Sequence, residues 1–529
     1  MARTACRAGW HDKARSSATL ARAVFGGLTL ALVTSACTVG PNYHAPTARA
    51  LTLSDRFSFE TPPGSAPPTA AELAKWWTAL EDPVLDALVR DALDASPDIA
   101  AAGGRLRAAR GATRGARAAL FPSLDASASA GRSALIGKGS SGAITTPGLG
   151  IGTSGTTLDV GSDASYEVDI FGGVRRSVQA ARADEAQAAE NLRDTQRSVV
   201  AEVALDYIMA RSAQERLAIA RSNLRSQDET VQLVGWRVRA GLTSSLDLAQ
   251  ARAQREQTAA SIPSLETSLV QSSNALAILI GQAPGGIDGR LQPPQPVPIA
   301  DRVLGADVPA AVLARRPDVR AAERSLAAAT ARIGVAKAQL YPALRLTGSL
   351  AGTGASVGDI TRFSTGSLIA AVSAPIFDGG AIRGQIEQAR GNADDALATY
   401  RTTVLTALGD VENAMTALAN TRIRELALAL AVDDSRNALL LAQSQYRAGL
   451  VDFQVLLDSE RTLLSSEDGL AVARADRASA LVQLYKALGG GWQAAPIPDS
   501  ARSGTLSAIE RPDIHAEPAP LPSSPTERP

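Results

Sequence analysis

The sequence predicts a mixed α and β protomer in which a long helical hairpin and a pair of β-strands occur twice. Three observations predict this fold class. Two very long helical patterns are each interrupted by one glycine motif, Arg239-Ala240-Gly241-Leu242 and Arg447-Ala448-Gly449-Leu450. Other stretches alternate apolar and polar residues with the period of a strand. Landmarks of the first half of the chain recur in the same order in the second half.

Each glycine motif is interpreted as a turn between two helices, because glycine readily adopts the conformation that ends a helix. No proline occurs between Val174 and Ala240, and residues that favour helix dominate there. At about 1.5 Å per residue, this helix is on the order of 100 Å long. A return helix runs to about Gly281. In the second hairpin one heptad position carries Leu456, Leu463, Leu470 and Leu484, which predicts coiled-coil packing.

The two halves of the chain are internal repeats. The matched landmarks are Pro97-Asp98-Ile99 with Pro317-Asp318-Val319, Ile170-Phe171 with Ile376-Phe377, Gly241 with Gly449, and Gly281 with Gly489. The first pair is offset by 220 residues (317 − 97), the second by 206 (377 − 171) and the glycine pairs by 208 (449 − 241). The loop between the first two strands is therefore longer than its counterpart, whereas the helices keep their lengths. The predicted segments are repeat 1 over 83–283, a proline-rich linker over 284–308 and repeat 2 over 309–492.

Alternation predicts four strands, two in each repeat. They cover about 123–133, 157–171, 343–352 and 366–377. The acidic residues at the polar positions are Asp125, Asp159, Asp163, Glu167 and Asp169. A globular sheet with one wet face alternates in the same way, but strands of this length separated by a long loop also fit hairpins of a membrane barrel. Four strands cannot close a barrel, and lipid does not tolerate open edges. Membrane-spanning strands therefore require oligomers: two chains would supply eight strands and three chains twelve.

The chain begins with the features of an export signal over residues 1–36. Basic residues precede a short apolar run from Ala23 to Val33, and small residues lead into Cys37. This ending resembles a bacterial lipobox, which implies a covalent lipid on Cys37; the alternative is an ordinary signal peptide with an incidental cysteine. Residues 37–82 are predicted to form an extended, lipid-anchored arm. Residues 493–529 are predicted to be disordered, since they are rich in proline, serine and alanine.

Composition argues against catalysis, metal binding and nucleic-acid binding. Lys and Arg number 53 and Asp and Glu also number 53, so the chain has no net basic character for nucleic acid. The histidines are His11, His44 and His515, and the cysteines are Cys6 and Cys37, all near the ends or in the predicted signal. We therefore expect no enzymatic activity, no metal site and no cofactor other than the lipid.

Motifs spread in order over nearly the whole mature chain resemble one family. They are Cys37 with Gly40-Pro41-Asn42-Tyr43, Trp76-Trp77, Asp82-Pro83-Val84-Leu85, Pro375-Ile376-Phe377-Asp378-Gly379-Gly380, Tyr446-Arg447-Ala448-Gly449-Leu450, and Leu484-Tyr485-Lys486-Ala487-Leu488-Gly489-Gly490-Gly491-Trp492. The chain resembles the TolC-type outer-membrane factors, in their OprM/NodT-like lipoprotein branch. The resemblance implies a homotrimer in the outer membrane of a Gram-negative bacterium, with a twelve-stranded barrel and a periplasmic helical tunnel. It also implies a periplasmic membrane-fusion adaptor and an inner-membrane resistance-nodulation-division pump as partners, and passive export of drugs or other small molecules.

The same resemblance implies functional roles for residues at and above the hairpin tips. Those expected to dock the adaptor are Arg239, Gly241, Leu242, Ser244, Arg447, Gly449 and Leu450. Gln454, Asp458 and Arg461 are expected to form the periplasmic gate, with one Asp458 carboxylate from each of three chains. Spacing alone favours another interpretation, an ordinary helix-face pair of Asp458 with Arg461. The strand acids are expected to face the lumen, where they either create an acidic field or are simply solvated.

Other functions fit part of the sequence. Type I secretion or metal efflux would use the same architecture. A structural coiled-coil lipoprotein that tethers envelope layers would explain the helices and Cys37, but it would leave the alternating strands unexplained.

Overall fold

The computed structural model describes residues 38–47, 57–58, 67–134, 154–300, 309–360 and 364–493. The chain divides into two compact units. Unit 1 comprises residues 1–60, 108–191 and 307–412, and unit 2 comprises residues 61–107, 192–306 and 413–529. The predicted signal peptide, Cys37 and the predicted tail beyond residue 493 lie outside the described residues.

The helices confirm two long hairpins with the same lengths in both repeats. In chain order they are α1 Ala70–Ala74, α2 Pro83–Ala95, α3 Pro97–Ala118, α4 Gly173–Arg239, α5 Ser245–Leu279, α6 Pro309–Arg315, α7 Pro317–Ala338, α8 Val357–Ile360, α9 Ala381–Arg447 and α10 Phe453–Ala487. α4 and α9 each have 67 residues, and α5 and α10 each have 35. Among the helices of the described ranges, none has both the length and the hydrophobicity needed to cross a membrane.

Unit 1 contains an antiparallel sheet of four strands in the order β1-β2-β3-β4. The strands are β1 Ser123–Ala134, β2 Ser154–Val168, β3 Ala343–Gly354 and β4 Ser364–Ser373. The first repeat contributes β1 and β2, the second contributes β3 and β4, and the repeats join where β2 pairs with β3. Within the described part of the chain, β1 and β4 each pair on one side only, so the sheet has two unpaired outer edges.

The strand register places polar and apolar side chains on opposite faces of the sheet. Residues directly opposite each other in neighbouring strands share a face. Asp125 lies opposite Asp163, and Glu167 lies opposite Arg345. Asp159 shares this face, because it lies four residues from Asp163 on the same strand. The other face carries Leu124, Leu158, Val160, Tyr166, Leu344, Leu346, Leu350, Leu368 and Val372.

Two predicted strand ends are wrong. β2 ends at Val168 rather than at residue 171, and β4 ends at Ser373 rather than at residue 377. Asp169 is therefore not a strand residue. Its carboxylate accepts hydrogen bonds from the backbone N–H of Val174 (3.1 Å) and Arg175 (2.8 Å), in the first turn of α4. The side chain of Arg175 also pairs with it at 3.1 Å, so Asp169 serves as an N-terminal anchor of α4.

The prediction of an extended arm to residue 82 is wrong for its last part, which contains two short helices. Residues 38–47 are without helix or strand, and the N–H of Val39 donates to the carbonyl of Phe171 at 3.1 Å. By contrast, α1 and a 3₁₀ helix at Trp76–Leu80 belong to unit 2. Trp76 is buried there and stacks on Tyr485, with 5.4 Å between ring centroids. Burial of two adjacent tryptophans, Trp76 and Trp77, explains why this stretch is folded rather than extended.

The described part of the proline-rich segment also packs into unit 2. A 3₁₀ helix at Asp288–Leu291 places the carbonyl of Leu291 near Arg211 on α4. The fully buried Arg211 guanidinium donates to that carbonyl at 2.8 Å and to the hydroxyl of Tyr207 at 2.9 Å. Tyr207 donates in turn to Asp82 at 2.6 Å. A buried charge with several hydrogen bonds thus fixes this segment, which is more than a linker.

Candidate functional site at the helical hairpin tips

The first helix of each hairpin, α4 and α9, ends at its tip in the same way. Gly241 and Gly449 have positive φ angles of 72° and 75°. The N–H of Leu242 donates to the carbonyl of Arg237, and the N–H of Leu450 donates to that of Gln445, at 2.8 and 2.9 Å. These six-residue closures are Schellman motifs, in which glycine avoids the steric cost of the left-handed conformation. The glycines of both copies therefore act as predicted from the sequence.

The predicted docking residues are all solvent-exposed. They are Arg239, Gly241, Leu242, Ser244, Arg447, Gly449 and Leu450. Leu242 and Leu450 are 68% and 75% exposed, which is unusual for leucines that follow a helix cap. Two equivalent apolar side chains are thus presented to solvent by rigid turns, an arrangement suited to contact with another protein.

The return helices begin differently in the two copies. Ser244 caps α5 through a capping box with Asp247, whose carboxylate also accepts a hydrogen bond from Thr243. Hydrogen bonds from Thr243 and Ser244 hold the pKa of Asp247 below its ordinary value. Asp452 precedes α10 without a side-chain capping bond. The first tip is consequently better fixed by local hydrogen bonds than the second.

The tips are joined to each other within unit 2. The guanidinium of Arg237 on α4 lies over the ring of Tyr446 on α9, 4.6 Å from its centroid. Its Nη1 also donates to the Tyr446 carbonyl at 2.6 Å. Tyr446 meets Phe453 edge-on with 5.9 Å between centroids. An apolar cluster lies beneath, formed by Val234, Ala251, Leu439, Ala442, Leu456, Leu457 and Leu463. Burial of Leu456, Leu463, Leu470 and Leu484 confirms the predicted heptad packing.

The predicted gate residues lie together on the exposed side of α10. The Asp458 side chain is 60% exposed, and its Oδ1 accepts a hydrogen bond from Gln454 Nε2 at 2.8 Å. Arg461 Nη1 lies 4.0 Å from the same oxygen, so the helix-face pair is present but loose. Arg461 Nε instead donates to Gln254 on α5 at 2.7 Å. Asp458 thus remains an accessible carboxylate.

A polar seam between α4 and α10 is a feature that sequence reasoning missed. Thr230 donates to Glu460 at 2.6 Å, Asn223 donates to Glu467 at 3.0 Å, and Arg474 pairs with Glu215 at 2.9 Å. On α10 the seam residues Glu460, Glu467 and Arg474 are spaced by seven, a heptad signal that could have revealed the contact. Glu460 is only 3% exposed, and burial raises the pKa of its carboxyl, partly offset by the hydrogen bond from Thr230.

The strand acids form a separate polar surface in unit 1. Asp125, Asp159, Asp163 and Glu167 share the polar face of the sheet, whereas Asp169 does not belong to it for the reason given above. Asp159 accepts a hydrogen bond from Ser129 at 3.3 Å. Within the described ranges, no group of three or more His, Cys, Asp or Glu side chains is placed to hold a metal ion.

An amphipathic sheet with open edges and long helical hairpins defines the class of TolC-like outer-membrane channels. The chain aligns with the solved outer-membrane channel OprN at a TM-score of 0.76 and 35% identity, covering 86% of this chain and all (100%) of that one. It aligns with the open state of the MtrE outer membrane channel of Neisseria gonorrhoeae at a TM-score of 0.74 and 29% identity. That alignment covers 87% of this chain and 99% of MtrE. The fold class predicted from the sequence is therefore confirmed.

The family model described as "Outer membrane efflux protein" matches residues 88–282 and 308–490, which correspond to the two repeats. The chain therefore belongs to the outer membrane efflux protein family, and efflux across the outer membrane is its function. Its relatives include the pyoverdine export outer membrane protein OpmQ of Pseudomonas putida, 33% identical over 82% of this chain and 92% of the relative. Nodulation protein T of Rhizobium leguminosarum bv. viciae is 32% identical over 90% of this chain and 96% of the relative.

Proposed function

We propose that three copies of this chain form the outer-membrane channel of a tripartite efflux system. The observation that carries the proposal is the sheet of unit 1, which has one polar face, one apolar face and, in the described part of the chain, two unpaired edges. Lipid does not tolerate unpaired strand edges. Three sheets joined edge to edge make a closed barrel of twelve strands, with the apolar face toward lipid and the polar face toward an aqueous lumen.

The lipid anchor on Cys37 is part of this proposal. The arm that follows it is held tightly to unit 1. Arg176, at the start of α4, donates to the carbonyls of Val39 and Gly40 at 3.2 Å and to the side chain of Asn42 at 2.8 Å. Because these hydrogen bonds fix the arm, a lipid on Cys37 would hold the folded chain close to the membrane rather than at the end of a flexible tether. Cys37 itself lies outside the described residues.

The partners we propose are a periplasmic membrane-fusion adaptor and an inner-membrane pump of the resistance-nodulation-division type. The exposed leucines of the two tips and the rigid glycine turns beneath them support an adaptor contact. At the constriction, three copies of Asp458 would form a ring of carboxylates that favours cations. The energy for export would come from the pump, and the channel would conduct passively.

The cargo we propose is a small molecule rather than one particular compound. The names of the relatives specify different cargoes: pyoverdine for OpmQ, and toluene for TtgI, the outer membrane protein of a toluene efflux pump of Pseudomonas putida. Proteins of one family and similar length thus serve cargoes of different chemistry. This variety is expected when a partner pump selects the cargo and the channel only conducts it.

The test combines cells and purified protein. Deletion of the gene in a strain that lacks redundant channels should sensitise the cells to exported compounds, and the wild-type gene should restore resistance. The purified protein should form detergent-stable trimers that conduct ions in planar bilayers. Unchanged susceptibility together with monomers that form no channels would refute the proposal. A soluble rod after Cys37→Ser would favour a structural envelope lipoprotein instead.

A further inference from the structure

A cavity of about 670 Å³ lies within unit 2, between α4, α5 and α10. Its volume falls in the range of about 300–1,000 Å³ that is typical of small-molecule sites. Ile219, Leu265 and Leu464 provide an apolar lining, and Thr258, Ser261 and Ser465 add hydroxyl groups. This combination of apolar surface with a few convergent polar groups is suited to an amphipathic ligand.

The cavity occurs where the two repeats differ. α5 contains Pro263 between the lining residues Ser261 and Ser264, whereas α10 carries Ala471 at the matching position (263 + 208). Proline cannot donate the backbone hydrogen bond of a helix interior, and its ring crowds the preceding turn. α5 therefore lacks one backbone hydrogen bond along this wall, although it runs unbroken from Ser245 to Leu279 and equals α10 in length.

The charged residues of the lining are two arginines and one aspartate, and they differ in how tightly they are paired. Arg216 forms two hydrogen bonds with Asp468, at 2.6 and 3.1 Å, so these two charges neutralise each other. Arg461 donates to Gln254, which is a neutral amide, at 2.7 Å. The Asp458 carboxylate is 4.0 Å from Arg461, beyond hydrogen-bond distance. Arg461 is thus the arginine of the lining whose only acidic partner among the described residues, Asp458, is loosely placed and does not itself line the cavity.

We propose that this cavity binds an amphipathic organic anion. Its carboxylate would accept hydrogen bonds from the Arg461 guanidinium, and its apolar part would cover Ile219, Leu265 and Leu464. A charge-assisted hydrogen bond is about twice as strong as a neutral one, so an anion is preferred over a neutral analogue. A cation of the same shape would gain no such bond, because a guanidinium has no acceptor to offer it. The bound anion would join α10 to α5, because Arg461 and its partner Gln254 lie on these two helices. The lining belongs to a single chain, so the proposed site requires no contact between chains, although Arg461 is also one of the predicted gate residues.

The probes for the test are naphthalene-2-carboxylate and, as its matched cation, naphthalen-2-ylmethylammonium. Binding to the full mature protein in detergent is measured by equilibrium dialysis, with protein-free micelles as the reference for partitioning. The carboxylate should bind saturably, with one site per chain, and the ammonium probe should not. Arg461→Gln should weaken carboxylate binding about tenfold or more, since it removes the charged donor.

Arg252→Gln is the matched control, because Arg252 is exposed on α5 and does not line the cavity. It should bind the carboxylate like the wild type. Ser465→Phe, which places a bulky ring in the cavity beside Leu464, provides a second variant; its far-UV circular dichroism and trimer content verify folding. The proposal is overturned if folded Arg461→Gln and Ser465→Phe both bind the carboxylate as the wild type does, or if the ammonium probe binds equally well. Neither result bears on conductance or drug susceptibility, which test the channel assembly separately.

Discussion

Gly449→Ala tests the idea that the hairpin tips depend on a left-handed glycine. Gly449 has a φ of 75°, and a Cβ added there would meet only Arg237 Nη2, at 3.9 Å. Space is therefore available, and the cost is that of the backbone alone, about 1–2 kcal/mol for a residue with a side chain. We expect local opening of the tip to become easier by that amount, which corresponds to about 5- to 30-fold faster amide exchange.

The assay is hydrogen–deuterium exchange with mass spectrometry on detergent-solubilised trimers. It follows the peptide that contains Leu450, whose N–H donates to the Gln445 carbonyl at 2.9 Å. Gly391→Ala is the control, since Gly391 is an exposed glycine of α9 with no atom within 4 Å of its added Cβ and no positive φ. Alanine should stabilise that helix interior by about 1 kcal/mol. Unchanged exchange at the tip in Gly449→Ala would refute the reasoning.

Three further predictions concern carboxylates. Burial raises the pKa of Glu460, so the stability it contributes is present at low pH and is lost as the pH rises through the folded-state pKa. Glutamine stays neutral at every pH, so the thermal midpoint of Glu460→Gln minus that of the wild type should increase as the pH rises. A difference that is the same at all pH values would contradict this. Asp458→Asn should reduce cation selectivity in the reversal potential of planar-bilayer currents, whereas Asp434→Asn, an equal charge change at an exposed site of α9, should not. Asp169→Ala should lower the thermal midpoint by the loss of a helix cap worth about 1 kcal/mol, and Asp163→Ala should leave it nearly unchanged.

The helical hairpins could be predicted because their determinants are local. A glycine after a long run of helix-forming residues has a conformational freedom that no other residue has, and each tip uses it. The internal repeat strengthened the prediction, since Gly241 and Gly449 have the same flanking lengths. The two faces of the sheet were also predictable, because a strand alternates its side chains whatever it pairs with.

The end of β2 could not be predicted from alternation. Asp169 continues the polar pattern of Asp163 and Glu167, so the sequence gives no reason to separate it from them. It leaves the strand because the first turn of α4 offers unpaired N–H groups that its carboxylate can bind. Asp169 can either continue the strand or cap the helix, and the choice depends on where α4 begins. Gly172, with a φ of 82°, directly precedes the first residue of α4.

The amino-acid sequence by itself determined the hairpins, the strand faces and the repeat, since all three follow from the short-range periods of helix and strand. Only the tertiary structure decided which polar residues are buried. Glu460 and Thr230 are 230 positions apart, yet they form a hydrogen bond of 2.6 Å inside the seam between α4 and α10. The cavity beside Pro263 likewise requires three helices that are distant in sequence. Burial and charge compensation depend on contacts between residues that are distant in the sequence, and the short-range periods of helix and strand do not specify those contacts.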